Sequence, residues 1–218
     1  MSPGGFDLRV LPGLTPYDEG HALQHELVEL RKAGEVRDTL ILVEHEPVIT
    51  LGRNASKAGL LATGGQLERA EVILRRIERG GQATYHGPGQ LVGYPIVDLH
   101  GLGIGVATYV RNLEQVMIRA AAELGVAAST RDKLTGVFTD QGKLGAIGVR
   151  VTRGVTYHGF ALNVDPRFDH YGLIVPCGMT GMPVTSLRAL RSGEPVAMGE
   201  VQQAIVDAFR EVFGYTVG

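Results

Sequence analysis

The sequence predicts a single domain over residues 1–218 of α/β (α+β) class, a mixed β-sheet with flanking helices. Three observations predict it. Strand-like runs alternate with long helical patterns early in the chain, whereas the runs after residue 136 follow one another as hairpins, and this combination makes a mixed sheet. Hydrophobic residues make up 44% and charged residues 20%, the balance of a globular chain long enough to bury a full core. Glycine is over-used, 31 in 218 residues, with no repeating period, which points to tight turns and close backbone approach.

Phe6 to Leu11 reads as a first strand. Thr15, Pro16 and Asp18 then supply an N-cap, a first-turn proline and an acidic first turn for a helix running to Gly34. Leu23, Leu27 and Leu30 form its apolar stripe and leave His21 and His25 on the opposite, solvated face. The segment His-Ala-Leu-Gln-His lacks the glutamate that follows the first histidine in zinc proteases, so no metal site is assigned. Residues 39–43 and 48–51 read as strands separated by a turn at Pro47, and 72–77 as a third.

A further apolar run, 91–99, leads into Gly101-Leu-Gly103-Ile-Gly105 and a helical pattern that ends near Gly125. The order strand, glycines, helix resembles a dinucleotide site. Val106, however, occupies the last glycine position, and no acidic residue ends a second strand, so a plain strand-to-helix turn is expected. Residues 136–139, 144–152 and 155–164 read as strands, an irregular stretch runs to about Ser186, and 201–212 has the spacing of a last helix.

The break at Arg153-Gly154 reads as a two-residue hairpin turn. Thr152 then faces Val155, and counting back places Gly148 opposite Gly159 and Ala146 opposite Ala161. Side chains alternate along a strand, so these small residues share one face and outline a shallow channel, fitted either to a closely packed helix or to an alkyl chain. On the other face Ile147 meets Phe160 and Val149 meets His158.

A net charge of −2 leaves no chain-wide basic footprint, which excludes nucleic acid as the main partner. No apolar run approaches bilayer-spanning length and the first residues lack a secretory pattern, so a cytoplasmic protein without membrane association is expected. The single cysteine, Cys177, excludes an internal disulfide and a zinc site built on several thiolates. A lone cysteine is by default an inert core residue. Here Pro176 and Gly178 flank it in an irregular segment, a setting that can present its sulfur to a substrate. A thiol is only slightly ionised at neutral pH and needs a base or a positive charge beside it; His86, His158 and Lys143 are the candidates. The densest polar and glycine-rich stretch, Arg79-Gly80-Gly81-Gln82-Ala83-Thr84-Tyr85-His86-Gly-Pro-Gly-Gln90, reads as a shaped binding loop and lacks the ending of a phosphate-binding P-loop.

Taken together, Arg79 to Gln90, Lys143-Leu-Gly-Ala-Ile-Gly-Val149, His158-Gly-Phe-Ala-Leu-Asn163 and Pro176-Cys-Gly178 closely resemble, in order and spacing, the motifs of the lipoyl(octanoyl) transferase family. The resemblance implies the fold of the biotin protein ligase and lipoate ligase catalytic domains. It also implies transfer of an octanoyl group from octanoyl-acyl carrier protein to a lysine of lipoyl domains, those of 2-oxoacid dehydrogenases and the glycine cleavage H protein, as the first step of endogenous protein lipoylation. By the same resemblance Cys177 carries the acyl group as a thioester, Lys143 lowers its pKa and acts as base, and Arg79 to His86, Ala146, Ile147, Gly148, Gly159, Phe160 and Ala161 line the acyl site. No cofactor is implied, and a monomer is expected. Two alternatives use the same fold or groove: an ATP-dependent lipoate or biotin-type ligase, and a non-enzymatic fatty-acid or lipoate binding protein.

Overall fold

The structure is a computed structural model that describes residues 4–56, 59–175 and 183–216. Two sheets form its frame. The larger has six strands, β1 (Asp7–Thr15), β2 (Thr39–His45), β6 (Gln90–Ile96), β9 (Val155–Asn163), β8 (Gly142–Thr152) and β7 (Val137–Thr139), side by side in that order. It is mixed as predicted: β1 runs parallel to β2, and every other neighbouring pair is antiparallel. The smaller sheet orders β4 (Ile73–Arg76), β3 (Val48–Leu51) and β5 (Ala83–His86).

Helix α1 (Tyr17–Ala33) covers one face of the large sheet, where Leu27 and Val28 pack on Ile41, Val43, Val92, Tyr94 and Ile96. The other face carries α3 (Val106–Glu123) and α5 (Met198–Phe213) over a core that includes Leu40, Leu91, Leu113, Met117, Phe160, Leu162, Ile205 and Phe209. Strands with both faces covered must be apolar throughout, which is why β2, β6 and β9 read as near-continuous hydrophobic runs. Two short helices, α2 (Gly64–Arg69) and α4 (Leu187–Leu190), complete the set, with a 3₁₀ turn over Phe168–Leu173. No helix of the described residues is long and apolar enough to cross a membrane.

Three expectations are corrected. Residues 83–86 form β5 and not part of a loop, because Val48 to Leu51 offer them an antiparallel edge. Thr15 ends β1 and Pro16 takes the N-cap position of α1. The helix also buries a different face: Tyr17, Gly20, Gln24, Leu27 and Val28 are buried and Leu30 is only half-buried, which turns His21 inward. The glycine run before α3 is the plain turn expected, with Gly105 as N-cap.

The hairpin register holds at every pair from Thr152↔Val155 through Gly148↔Gly159 to Ala146↔Ala161. Arg153 (φ 50°) and Gly154 (φ 86°) make the tight turn that sets it. The glycines do more than leave space. A Cβ on Gly148 would lie 3.1 Å from both Arg79 Cδ and the Gly80 carbonyl oxygen, and one on Gly159 would overlap the Gly93 carbonyl oxygen across the sheet. Gly159→Ala is therefore expected to cost about 3 kcal/mol through displaced backbone. Urea unfolding should show a lower midpoint with an unchanged slope.

Candidate active site

A cavity of about 300 Å³ lies on the α1 side of the large sheet, where β5 of the small sheet and the loops around residues 79–82 and 133–135 close over β8 and β9. That is the lower end of the size range of small-molecule sites, about 300–1,000 Å³. Ala146, Ile147, Gly148, Gly159, Phe160 and Ala161 line it, together with Arg79, Gly81, Gln82, Thr84 and His86. Gly80, Ala83 and Tyr85 do not. Alternation along β5 sends Ala83 and Tyr85 into the core of the small sheet with Ile49, Leu67 and Ile174, and Gly80 is tied by its N–H to the Val149 carbonyl. Tyr17, Asn54, Val92, Tyr94, Leu134 and Thr135 also line the cavity and were not foreseen. Their separation along the chain hides them.

Lys143 sits in this wall with 6% of its surface exposed. Its Nζ donates to the Thr135 carbonyl at 3.2 Å and stands 5.4 Å from the centre of the Phe138 ring. Gly136 passes against the lysine stem, at a φ of 125° that suits glycine alone; a Cβ there would lie 2.8 Å from Lys143 Cε. The main chain of Lys143 is paired as well, its N–H to the Pro183 carbonyl at 2.9 Å and its carbonyl to the Thr185 N–H at 3.0 Å. Cys177 lies outside the described residues, between Val175 and Pro183.

Arg79 is buried, with Nη2 donating to the Thr50 carbonyl at 2.7 Å and Nη1 to the Gly80 carbonyl at 3.0 Å. Its guanidinium fixes the loop that roofs the cavity. His86 is anchored by a polar chain: Nδ1–H donates to Gln90 Oε1 at 2.7 Å, and Gln90 Nε2 donates to Asn163 Oδ1 at 2.9 Å. Asn163 Nδ2 in turn donates to the Thr185 carbonyl at 3.0 Å, on the segment paired with Lys143. Burial, reinforced by nearby His45, pushes His86 down to about 3, so its ring is neutral with a lone pair on Nε2. Burial likewise pushes His45 down to about 4, against the opposing pull of the Thr15 carbonyl, and His45 Nε2 accepts from the Tyr94 hydroxyl at 2.7 Å.

His158 breaks the alternation of its strand. It pairs with Val149 as predicted, but a φ of 54° swings its ring to the α1 side, against Tyr157 (ring centres 4.9 Å apart) and His21 (5.4 Å). Its N–H donates to Gln24 Oε1 of α1 at 2.8 Å. Burial pushes the ring down to about 3, opposed by Glu78. His21 and His25 consequently stand beside Glu78 and His158; His25 keeps the solvated position expected for it, whereas His21 is partly buried.

The model of the lipoyl protein ligase A/B catalytic domain matches residues 16–210. An octanoyltransferase of Koribacter versatilis is 47% identical over 206 residues, covering 92% of this chain and 82% of that one. The chain belongs to the octanoyltransferase family. This octanoyltransferase family member is thus an acyltransferase, and its mixed fold matches solved ligases at low identity. The bipartite lipoate protein ligase of Thermoplasma acidophilum superposes with a TM-score of 0.75 at 17% identity, over 100% of this chain and 86% of that one. The biotin protein ligase of Aquifex aeolicus does so at 0.59 and 12%, over 95% and 70%. Those two likenesses concern the fold, whereas the octanoyltransferase likeness extends to the sequence of nearly the whole chain.

Proposed function

We propose that this protein transfers an octanoyl group from octanoyl-acyl carrier protein to a lysine of a lipoyl domain, through a thioester on Cys177. The observation that carries the reading is Lys143: a buried ammonium donor set in the wall of an alkyl-sized cavity, with the chain returning from Cys177 paired along its backbone at Pro183 to Thr185. Five residues separate Cys177 from Pro183, a tether of six steps and at most roughly 22 Å.

In the first half-reaction the Cys177 sulfur attacks the carrier thioester, the carrier thiol leaves, and Lys143 passes the cysteine proton to the departing sulfur. In the second, the lysine amine of the lipoyl domain attacks the enzyme thioester and gives up a proton through Lys143, and an amide forms as the Cys177 thiolate departs. Exchange between thioesters is nearly isoenergetic and amide formation runs downhill, so no ATP enters the balance. Ala146, Gly148, Gly159 and Ala161 would accept the chain, with Val92 and Tyr94 as walls on the same face. Backbone N–H groups near His86 would donate to the tetrahedral oxygen, and the lone pair on His86 Nε2 would accept from a water ordered beside it.

Incubation with octanoyl-acyl carrier protein in the absence of ATP is expected to add one octanoyl mass to the protein. Hydroxylamine should remove it, and Cys177→Ser should not acquire it. An adduct that requires ATP would favour the ligase reading, and reversible octanoate binding with no adduct the binding-protein reading.

A further inference from the structure

Beside the cavity, on the outer side of His158, four side chains from separate stretches of chain converge. His21 and His25 of α1 hold their Nε2 atoms 3.1 Å apart, and these lie 3.1 and 3.0 Å from Glu78 Oε1. From β9, His158 Nε2 stands 3.8 Å from the same oxygen. The ligand atoms of His21, Glu78 and His158 all fall within 4.8 Å of one another.

Hydrogen bonding does not account for this arrangement. A ring nitrogen directs one proton or one lone pair along one line, so the triangle of His21, His25 and Glu78 can form at most two of its three edges as hydrogen bonds. His158 adds an independent sign. Its side chain is 2% exposed, and its Nε2 has no hydrogen-bond partner among the described residues. A non-glycine residue at φ 54° costs of order 1–3 kcal/mol, and here that strain aims the orphaned nitrogen at the carboxylate. Four-coordinate zinc, with bonds near 2.0–2.1 Å, spaces its ligand atoms about 3.3 Å apart, within the range of separations found here.

We propose that His21, Glu78 and His158, with His25 as the fourth ligand on the exposed side, bind one zinc ion. Imidazole and carboxylate donors in this number suit zinc, and thiolate is not needed. The ion would tie α1 and the link between β4 and β5 to β9, and so stiffen the cavity wall that His158 forms. This site goes beyond the acyl-transfer reading and does not depend on it.

The test uses the full chain, freed of metal by a chelator and titrated first with Co²⁺ and then with Zn²⁺. One equivalent of Co²⁺ is expected to bind with the intense visible bands of four-coordinate geometry, to be displaced by Zn²⁺, and to raise the melting temperature. His21→Ala and Glu78→Gln, both at partly exposed positions, should weaken binding at least roughly 100-fold, since changes even outside the ligand set cost 10–100-fold. Cys177→Ser and His100→Ala should bind as the parent does. Absence of saturable binding by the parent, unchanged affinity in His21→Ala and Glu78→Gln, or loss of binding in Cys177→Ser would each overturn the proposal.

Discussion

Lys143→Ala is expected to lower octanoyl transfer by about 10²–10⁴-fold, the range for losing one positioned proton-transfer group. The size follows from the setting. An exposed lysine could be replaced by water, but Lys143 is buried in the cavity wall, with Thr135, Gly136 and Phe138 closing around its stem. Its removal leaves no proton carrier at that point, and an arginine, with its fixed planar fork, would not fit the space against Gly136. Two readouts separate a chemical role from a merely structural one. Under the proposed mechanism the pH profile for alkylation of Cys177 should move to higher pH in the variant, because the thiolate would lose the cation assigned to it. Formation of the acyl-enzyme and its discharge to the lipoyl domain should both slow in single-turnover experiments, since the same group handles the proton in each half. An unmoved alkylation profile, with circular dichroism showing an intact fold, would remove Lys143 from the proton path.

The second large effect is loss of stability in acid. An unfolded histidine takes up a proton near pH 6.5, whereas burial keeps His45 neutral in the folded protein down to about 4 and His86 down to about 3. Both folded values are depressed. The unfolded chain therefore binds more protons than the folded one between roughly 6.5 and 4, and stability, complete above 6.5, falls as pH drops through that window. These two protons alone contribute a slope of about 3 kcal/mol per pH unit at its steepest, to which His158, pushed down to about 3, adds, and this is enough to unfold an ordinary domain well above pH 4. Urea unfolding of chelator-treated protein at a series of pH values measures it. His45→Phe should lower the slope by about 1.4 kcal/mol per pH unit, one proton's share, while losing the bonds to Thr15 and Tyr94; an unchanged slope would mean that the ring is hydrated or protonated in the folded state.

Much of the site was legible because it is local in sequence. A two-residue turn at Arg153-Gly154 and the period of a β-strand are enough to place Gly148 against Gly159 and Ala146 against Ala161, and the pairing is met residue for residue. Side-chain parity failed where the backbone left the ordinary strand region. His158, at φ 54°, turns to the face opposite the one alternation assigns it, and no pattern of residue types announces a left-handed residue inside a strand. Residues 83–86 carry polar and glycine neighbours that suggest a loop, yet the free edge of Val48 to Leu51 makes them a strand and divides them, with Thr84 and His86 facing the cavity and Ala83 and Tyr85 the core.

What the sequence by itself determined, then, is the mixed class, the hairpin register and the motifs that mark an octanoyltransferase, all of which depend on near neighbours in the chain or on order along it. Only the tertiary structure decided which face of α1 is buried, that Lys143 is enclosed by Gly136 and Thr135, and that His21 and His25 meet Glu78 and His158. The reason is physical. Turn geometry and side-chain alternation act over a few residues, whereas the burial of a charge or the convergence of rings depends on which distant segments share the space, and packing of the whole core sets that.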